Sequence, residues 1–334
     1  MNLEKIQEVL ENEPKFRSKQ ASKAVFVDLI DNWEKNTTLP LDLRNKLNNV
    51  APLGIDAQFF DSEKSESIKA LLTLDDGLKI ETVLLRHKDG RNTICLSSQV
   101  GCALGCTFCA TGKMGFKRDL NVSEIISQVL LFSRFLKEKG DERGVTNVVF
   151  MGMGEPFLNY ENVMQSINIL NDKDAFNIGA RHISISTAGI VENINKFANE
   201  KMQINLAISL HASNDELRSE LMPIAKKYSL NQLFEAIENY VEKKSRQVMF
   251  EYLMIDGVND SEYHAKELAR LMDKPLYVVN LIRYNPTGKF KPSTATAIRR
   301  FKNILLRQGV KVTERHEFGQ DISAACGQLA GKNK

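Results

Sequence analysis

The 334-residue chain predicts an α/β fold, a full or partial (β/α) barrel preceded by a small N-terminal helical and hairpin region. Two observations carry this. From about residue 93 onward, short apolar runs alternate with helix-length amphipathic patterns, which implies parallel strands joined by right-handed crossovers. Nearly every run then ends in a short polar or glycine-containing turn. Such turns, spread over successive strands, suit the C-terminal rim of a barrel better than the single switch point of a doubly wound sheet.

Taken in order, residues 2–50 read as two or three amphipathic helices with basic punctuation at Lys15, Arg17, Lys19 and Lys23. Residues 67–86 read as a strand hairpin turning at Asp76-Gly77. In its second strand Ile80-Glu81-Thr82-Val83-Leu84 alternates apolar and polar side chains, which on pattern alone leaves Glu81 exposed. The Asp89-Gly90 turn opens the main region, so a division into 1–88 and 89–334 is expected. Strands are predicted at 93–98, 147–151, 182–186, 205–210, 248–254, 276–282 and 310–313. Helices are predicted at 122–139, 160–170, 191–199, 232–244, 260–273 and 295–308, several behind good N-cap residues such as Asn121 and Ser261.

A hydrophobic fraction of 43% and a charged fraction of 26% describe an ordinary globular protein. No run of about 18 apolar residues exists, so no membrane span or membrane partner is expected. The start, Met1-Asn-Leu-Glu-Lys, lacks the apolar stretch of a secretory signal. Five unevenly spread cysteines suggest metal binding or catalysis in the cytoplasm rather than a disulfide framework. The formal charge of +3 does not announce a polyanion. Between residues 275 and 315, however, nine basic residues face the single acid Glu314, a local excess that would attract RNA if they shared a face.

The strongest motif is Cys102-x-x-x-Cys106-x-x-Cys109, in a loop after the first core strand. Three thiolates leave one metal position open, the mark of a site that does chemistry rather than one that staples a fold. The absence of histidine in the loop leans toward iron–sulfur, while zinc with His211 or another cysteine as fourth ligand stays open. Gly152-Met153-Gly154-Glu155-Pro156 also follows a strand. Its glycines would admit a close ligand, and Glu155 could accept hydrogen bonds from an ammonium or hydroxyl. The spacing is not that of a dinucleotide fingerprint, and a tight turn with a surface glutamate fits equally well. Taken singly, His211 and Asn285 are ordinary strand-end and turn residues, and Cys95 and Cys326 small buried hydrophobes. Cys326 nevertheless lies in a small-residue segment, Ala324-Ala325-Cys326-Gly327.

Together these residues resemble the radical S-adenosylmethionine superfamily and, more narrowly, the RlmN/Cfr family of RNA adenosine methyltransferases. The resemblance runs nearly end to end. It includes Lys15-Phe16-Arg17, Ile80-Glu81-Thr82-Val83, the run from Cys95 to Cys102, Met151 to Pro156, Ser186-Thr187-Ala188-Gly189 and Ser209-Leu210-His211. Leu221-Met222-Pro223-Ile224, Gly257-Val258-Asn259-Asp260 and Ala324 to Leu329 complete it.

The resemblance implies a partial barrel holding a 4Fe-4S cluster on Cys102, Cys106 and Cys109. S-adenosylmethionine would be bound by Gly154, Glu155, Ser186, Ser209, Leu210, His211 and Asn285, with two consumed per turnover. By the same resemblance Cys326 first takes a methyl group. A 5′-deoxyadenosyl radical then activates it for addition to the base, Glu81 is the proton acceptor, and Cys95 frees the product through a transient disulfide with Cys326. The implied partners are 23S ribosomal RNA, an adenosine beside the anticodon of transfer RNA, and an external electron donor such as flavodoxin or ferredoxin, acting on a monomer with an RNA-gripping N-terminal region. Gly152 to Pro156 and the ending Gly327 to Gly331 look more like RlmN, which methylates C2 of adenine. Cys109-Ala110-Thr111-Gly112 and the stretch from Leu281 to Thr287 look somewhat like Cfr, which methylates C8; C2 is the expectation. A non-catalytic zinc-stabilised RNA-binding protein is the alternative from another class.

Overall fold

In the computed structural model, which describes residues 1–63, 66–315 and 319–331, the chain begins with three short helices, α1 (Leu3–Leu10), α2 (Lys15–Phe26) and α3 (Leu41–Val50). Asn2 caps α1 by accepting from the Lys5 amide at 3.0 Å. The three share a core of their own around fully buried Trp33, with Leu10, Leu43 and Leu47. The Trp33 indole donates to the Ala51 carbonyl at 2.9 Å, so its one polar atom is satisfied inside.

An antiparallel meander follows, β1 (Ala57–Asp61), β2 (Ser67–Thr73) and β3 (Lys79–Arg86), and β3 pairs antiparallel with β4 (Asn92–Cys95). The sheet therefore runs unbroken across the turn where the sequence suggests a division at residue 88. A two-stranded ribbon, β5 (Gln99–Gly101) and β6 (Phe116–Asp119), brackets the cysteine loop and the single turn α4 (Ala110–Lys113).

Strands and helices then alternate as β–α units. In chain order they are α5 (Val122–Glu138), β7 (Asn147–Phe150), α6 (Tyr160–Asn171), β8 (Ile183–Thr187), α7 (Val191–Phe197) and β9 (Asn205–Ser209). They continue with α8 (Asp215–Leu221), α9 (Leu230–Lys244), β10 (Val248–Met254), α10 (Glu262–Leu271), β11 (Tyr277–Arg283), α11 (Ala295–Arg307) and β12 (Lys311–Glu314). Sheet order is β1-β2-β3-β4-β7-β8-β9-β10-β11-β12, parallel from β4 onward. Among the described residues no pairing joins β12 back to β1, so the barrel is partial, as the strand-end turns predict.

Helix starts follow local chemistry. Asn121 and Glu124 form a reciprocal capping box at α5, and Ser229 and Gln232 do the same at α9. The inner faces of the helices meet the apolar strands in one large core. No helix among the described residues is long and apolar enough to cross a membrane.

The expected strands and helices appear within a few residues of their predicted bounds. The structure adds β1, the β5–β6 ribbon and α8. It also splits the basic segment: Lys302 pairs with Glu314 at 2.7 Å and Arg300 with Glu262 at 3.7 Å, while Arg315 turns into the protein beside Glu251. Those nine charges do not form one free face.

Candidate active site

At the C-terminal ends of the parallel strands lies a cavity of about 200 Å3. Its wall takes Cys95 from β4, Gly154 and Glu155 after β7, Ser186 from β8, Ser209 and His211 at the end of β9, and Asn285 after β11. Cys102, Cys106 and Cys109 enter from the loop and Cys326 from the C-terminal segment. Of the residues expected from sequence, Leu210 and Glu81 are not on this wall. Leu210 is fully buried behind it. Glu81, read from its alternation as exposed, is 2% exposed and forms a buried ion pair with Lys69 at 2.9 Å.

The turn after β7 needs its glycines. A Cβ on Gly152 would come within 2.6 Å of the Leu96 carbonyl, and one on Gly154, at φ +98°, within 2.5 Å of Gln99 Cβ. That close approach lets the Gln99 amide oxygen accept from the Glu155 N–H at 2.9 Å. The carboxylate of Glu155 accepts from Phe157 N–H at 3.0 Å and Ala188 N–H at 2.8 Å. Burial nevertheless pushes its pKa up to about 7, with those hydrogen bonds opposing the rise. The Ser186 and Ser209 hydroxyls stand 3.4 Å apart on adjacent strands.

His211 adopts the left-handed conformation at φ 60°. Its Nδ1 accepts from Leu253 N–H at 3.2 Å, and its ring meets Phe108 edge-on at 4.9 Å. Burial, aided by the nearby Arg218 charge, lowers its pKa to about 3, so the imidazole is neutral near pH 7. Cys95 is pushed up to about 12 by burial and by Cys326, with the Arg315 guanidinium opposing. Arg315 itself donates to the Met151 sulfur at 3.3 Å and lies 4.0 Å from Glu251, and the field of Cys326 favours its charge.

The donor set fits an anionic iron–sulfur group. Three thiols from one loop face the cavity, and burial raises Cys102 to about 12 and Cys106 further, so deprotonated sulfur there calls for a metal. Arg218, fully buried near Cys106, donates to the Ala188 carbonyl at 2.6 Å but leaves Nε and Nη1 without partners among the described residues. No three His, Cys, Asp or Glu side chains of those residues converge as one metal ion requires. The thiolates of a 4Fe-4S cubane end on different irons and need not converge so tightly. His211, the suggested fourth zinc ligand, has its Nδ1 committed to Leu253.

Sequence reading missed Arg218, Glu251 and Lys69, and took Arg315 only as part of a basic patch. A signal existed for two of them. Lys69 and Glu251 are lone charges inside otherwise apolar strands, and such charges are seldom buried without a purpose.

A profile of the Radical SAM superfamily matches residues 96–269. A probable dual-specificity RNA methyltransferase RlmN from Dictyoglomus thermophilum is 45% identical over 98% of this chain and 94% of its own length. Its namesake from Staphylococcus carnosus is 45% identical over 96% of this chain and 88% of its own. Among solved structures, a radical SAM methyltransferase from Sphaerobacter thermophilus superposes with a TM-score of 0.94 at 42% identity, covering 99% of this chain and 98% of that one. With the three-cysteine loop and strand-end cavity of that fold in place, the chain belongs to the radical SAM superfamily and, within it, to the RlmN family of methyltransferases.

Proposed function

We propose that the protein methylates C2 of an adenosine in the peptidyl-transferase loop of 23S ribosomal RNA, and an anticodon-adjacent adenosine of transfer RNA, in the cytoplasm and as a monomer. The observation that carries this reading is that Cys326 and Cys95 line the same cavity as Cys102, Cys106 and Cys109. A binding protein has no use for two further thiols there. A radical methyltransferase needs one to carry carbon and one to release it.

Cys102, Cys106 and Cys109 would hold a 4Fe-4S cluster. When bound, the cluster and S-adenosylmethionine supply the radical and the methyl group. Glu155, Ser186, Ser209, His211 and Asn285 would orient S-adenosylmethionine at the strand ends. With its pKa raised, Glu155 gains a stabilised charge when an ammonium arrives. Cys326 acts first as nucleophile: its thiolate forms a bond to the methyl carbon as the sulfonium–methyl bond breaks and S-adenosylhomocysteine leaves. Arg315 lines the same cavity as Cys326 and places a fixed positive charge on its wall. After the carbon has joined the base, the adduct would lose one electron to the oxidised external carrier and its ring proton to a base (Glu81 by family resemblance). Cys95, as thiolate, then bonds to the Cys326 sulfur as the sulfur–carbon bond breaks, and the base-bound methylene keeps the bonding pair and takes up a proton to become the methyl group. The resulting disulfide must be reduced by an external donor before the next turnover. The base must be splayed from its stack to reach this depth, which favours RNA loops over duplex. The N-terminal region, 1–88, would help grip that loop.

Anaerobically reconstituted enzyme is to be incubated with ribosomal and transfer RNA, and the digested nucleosides separated against standards. Recovery of 2-methyladenosine is expected. Recovery of 8-methyladenosine alone would replace C2 by C8, and no methylated adenosine from either RNA would overturn the reading.

A further inference from the structure

The C-terminal segment 319–331, which carries Cys326, contains no helix or strand, so its backbone depends on bonds to the rest of the protein. On one side it is tied to the cluster loop and its neighbours. Ala110 N–H donates to the Gly327 carbonyl at 2.7 Å, the Thr111 hydroxyl to the Leu329 carbonyl at 2.6 Å, and the Asn285 amide to the Cys326 carbonyl at 3.2 Å. On the other side it meets the β1–β3 meander: the Asp321 carboxylate accepts from the Glu63 N–H at 2.8 Å, and Glu81 holds the last residues of the segment. Glu81 Oε2 accepts from Ala330 N–H at 2.6 Å and Gly331 N–H at 3.1 Å, while Oε1 pairs with Lys69 at 2.9 Å.

We propose that Lys69 and Glu81 are positioning residues, a buried ion pair that latches the Cys326-bearing segment over the cavity. The inference rests on the reading of Cys326 as methyl carrier. Lys69 and Glu81 are 1% and 2% exposed, where an apolar pair would pack at no greater cost. An apolar pair could not accept two amide protons from the segment, and an ionised acceptor makes those bonds about twice as strong as a neutral one. Lys69 orients the carboxylate: with Oε1 engaged, Oε2 is turned to Ala330 and Gly331. The same geometry keeps Glu81 off the cavity wall while the segment is docked. The hairpin thereby sets where the carrier thiol stands.

Hydrogen exchange of the reconstituted full-length protein tests this without RNA. In the double variant Lys69→Met, Glu81→Leu, the Ala330 and Gly331 amides should exchange about tenfold faster. Amides of β2 and β3 should stay protected, and methyl loading of Cys326, read by intact mass, should slow. If the double variant does not fold, Glu81→Gln keeps shape and a neutral acceptor and should give the same change at several-fold amplitude. Lys69→Arg, which keeps the charge, should restore protection in part. Unchanged exchange at 330 and 331 in either folded variant overturns the latch, and is the result expected of a Glu81 that only accepts a proton. Lost protection in the variants, together with an unmutated enzyme that methylates no RNA, would leave the latch standing and sink the substrate reading.

Discussion

On one side of the cavity Glu155, Ser186 and Ser209 stand at or just past the ends of parallel strands whose ladders fix them. On the other, Cys326 rides a segment without regular structure, held by a handful of side-chain and loop bonds. Groups that bind and orient are built into the sheet, where a shift of one residue would cost the whole ladder. The group that carries carbon is placed where local opening is cheap. A thiol that must meet a sulfonium, a base and a second thiol in turn cannot be held as rigidly as the groups that merely bind.

The comparison breaks most visibly at the loop thiols. Serine at Cys102, Cys106 or Cys109 should remove the broad visible absorption of the reconstituted protein and lower RNA methylation by about 10^3-fold or more. Methylation at full rate in any of the three would end the assignment. Cys326→Ala should abolish methylation as completely while keeping iron content and absorption. If the cluster were lost as well, the rim and the segment would not be separate units.

A smaller effect concerns Cys95. With its pKa at about 12 the residue is a neutral thiol near pH 7, so its alkylation in the folded protein should climb about tenfold per pH unit between 8 and 11. The Arg315 charge opposes that rise, so Arg315→Leu should push the pKa further up and slow alkylation at pH 8 several-fold, measured by mass spectrometry of the labelled peptide. Faster alkylation would show that Arg315 shields the thiol rather than activating it. The smallest effect belongs to a site remote from both regions. Lys23→Ala breaks a pair with Asp28 whose side chains are 63% and 48% exposed, and should change unfolding free energy by less than about 0.5 kcal/mol. A larger loss by denaturant titration would mean that the helical N-terminal region depends on its surface charges.

Much of the fold was legible because parallel strands buried on both faces read as apolar runs and the intervening helices as 3.6-residue patterns. Most of the cavity was legible too, since Cys102, Cys106 and Cys109 lie within one loop and Glu155, Ser186, Ser209 and His211 mark strand ends. Glu81 was misread because alternation assumes that one face of a strand meets water. In β3 every residue from Ile80 to Leu85 is buried, and the segment at Ala330 and Gly331 closes over Glu81. Arg315 was misread because composition counts charges without direction, and this one points inward to Glu251 and the two thiols.

By itself the sequence determined the order of β–α units, the three-thiol loop and the turns that ring the rim, because each is written in spacings of a few residues. Only the tertiary structure decided that Lys69, Glu81 and Ala330 meet, and that Arg315 and Glu251 turn into the cavity that Cys95 and Cys326 share. Those contacts join residues up to 250 positions apart. No local period encodes such distances, and they are set by how the sheet curves and by what is left to satisfy its buried polar groups.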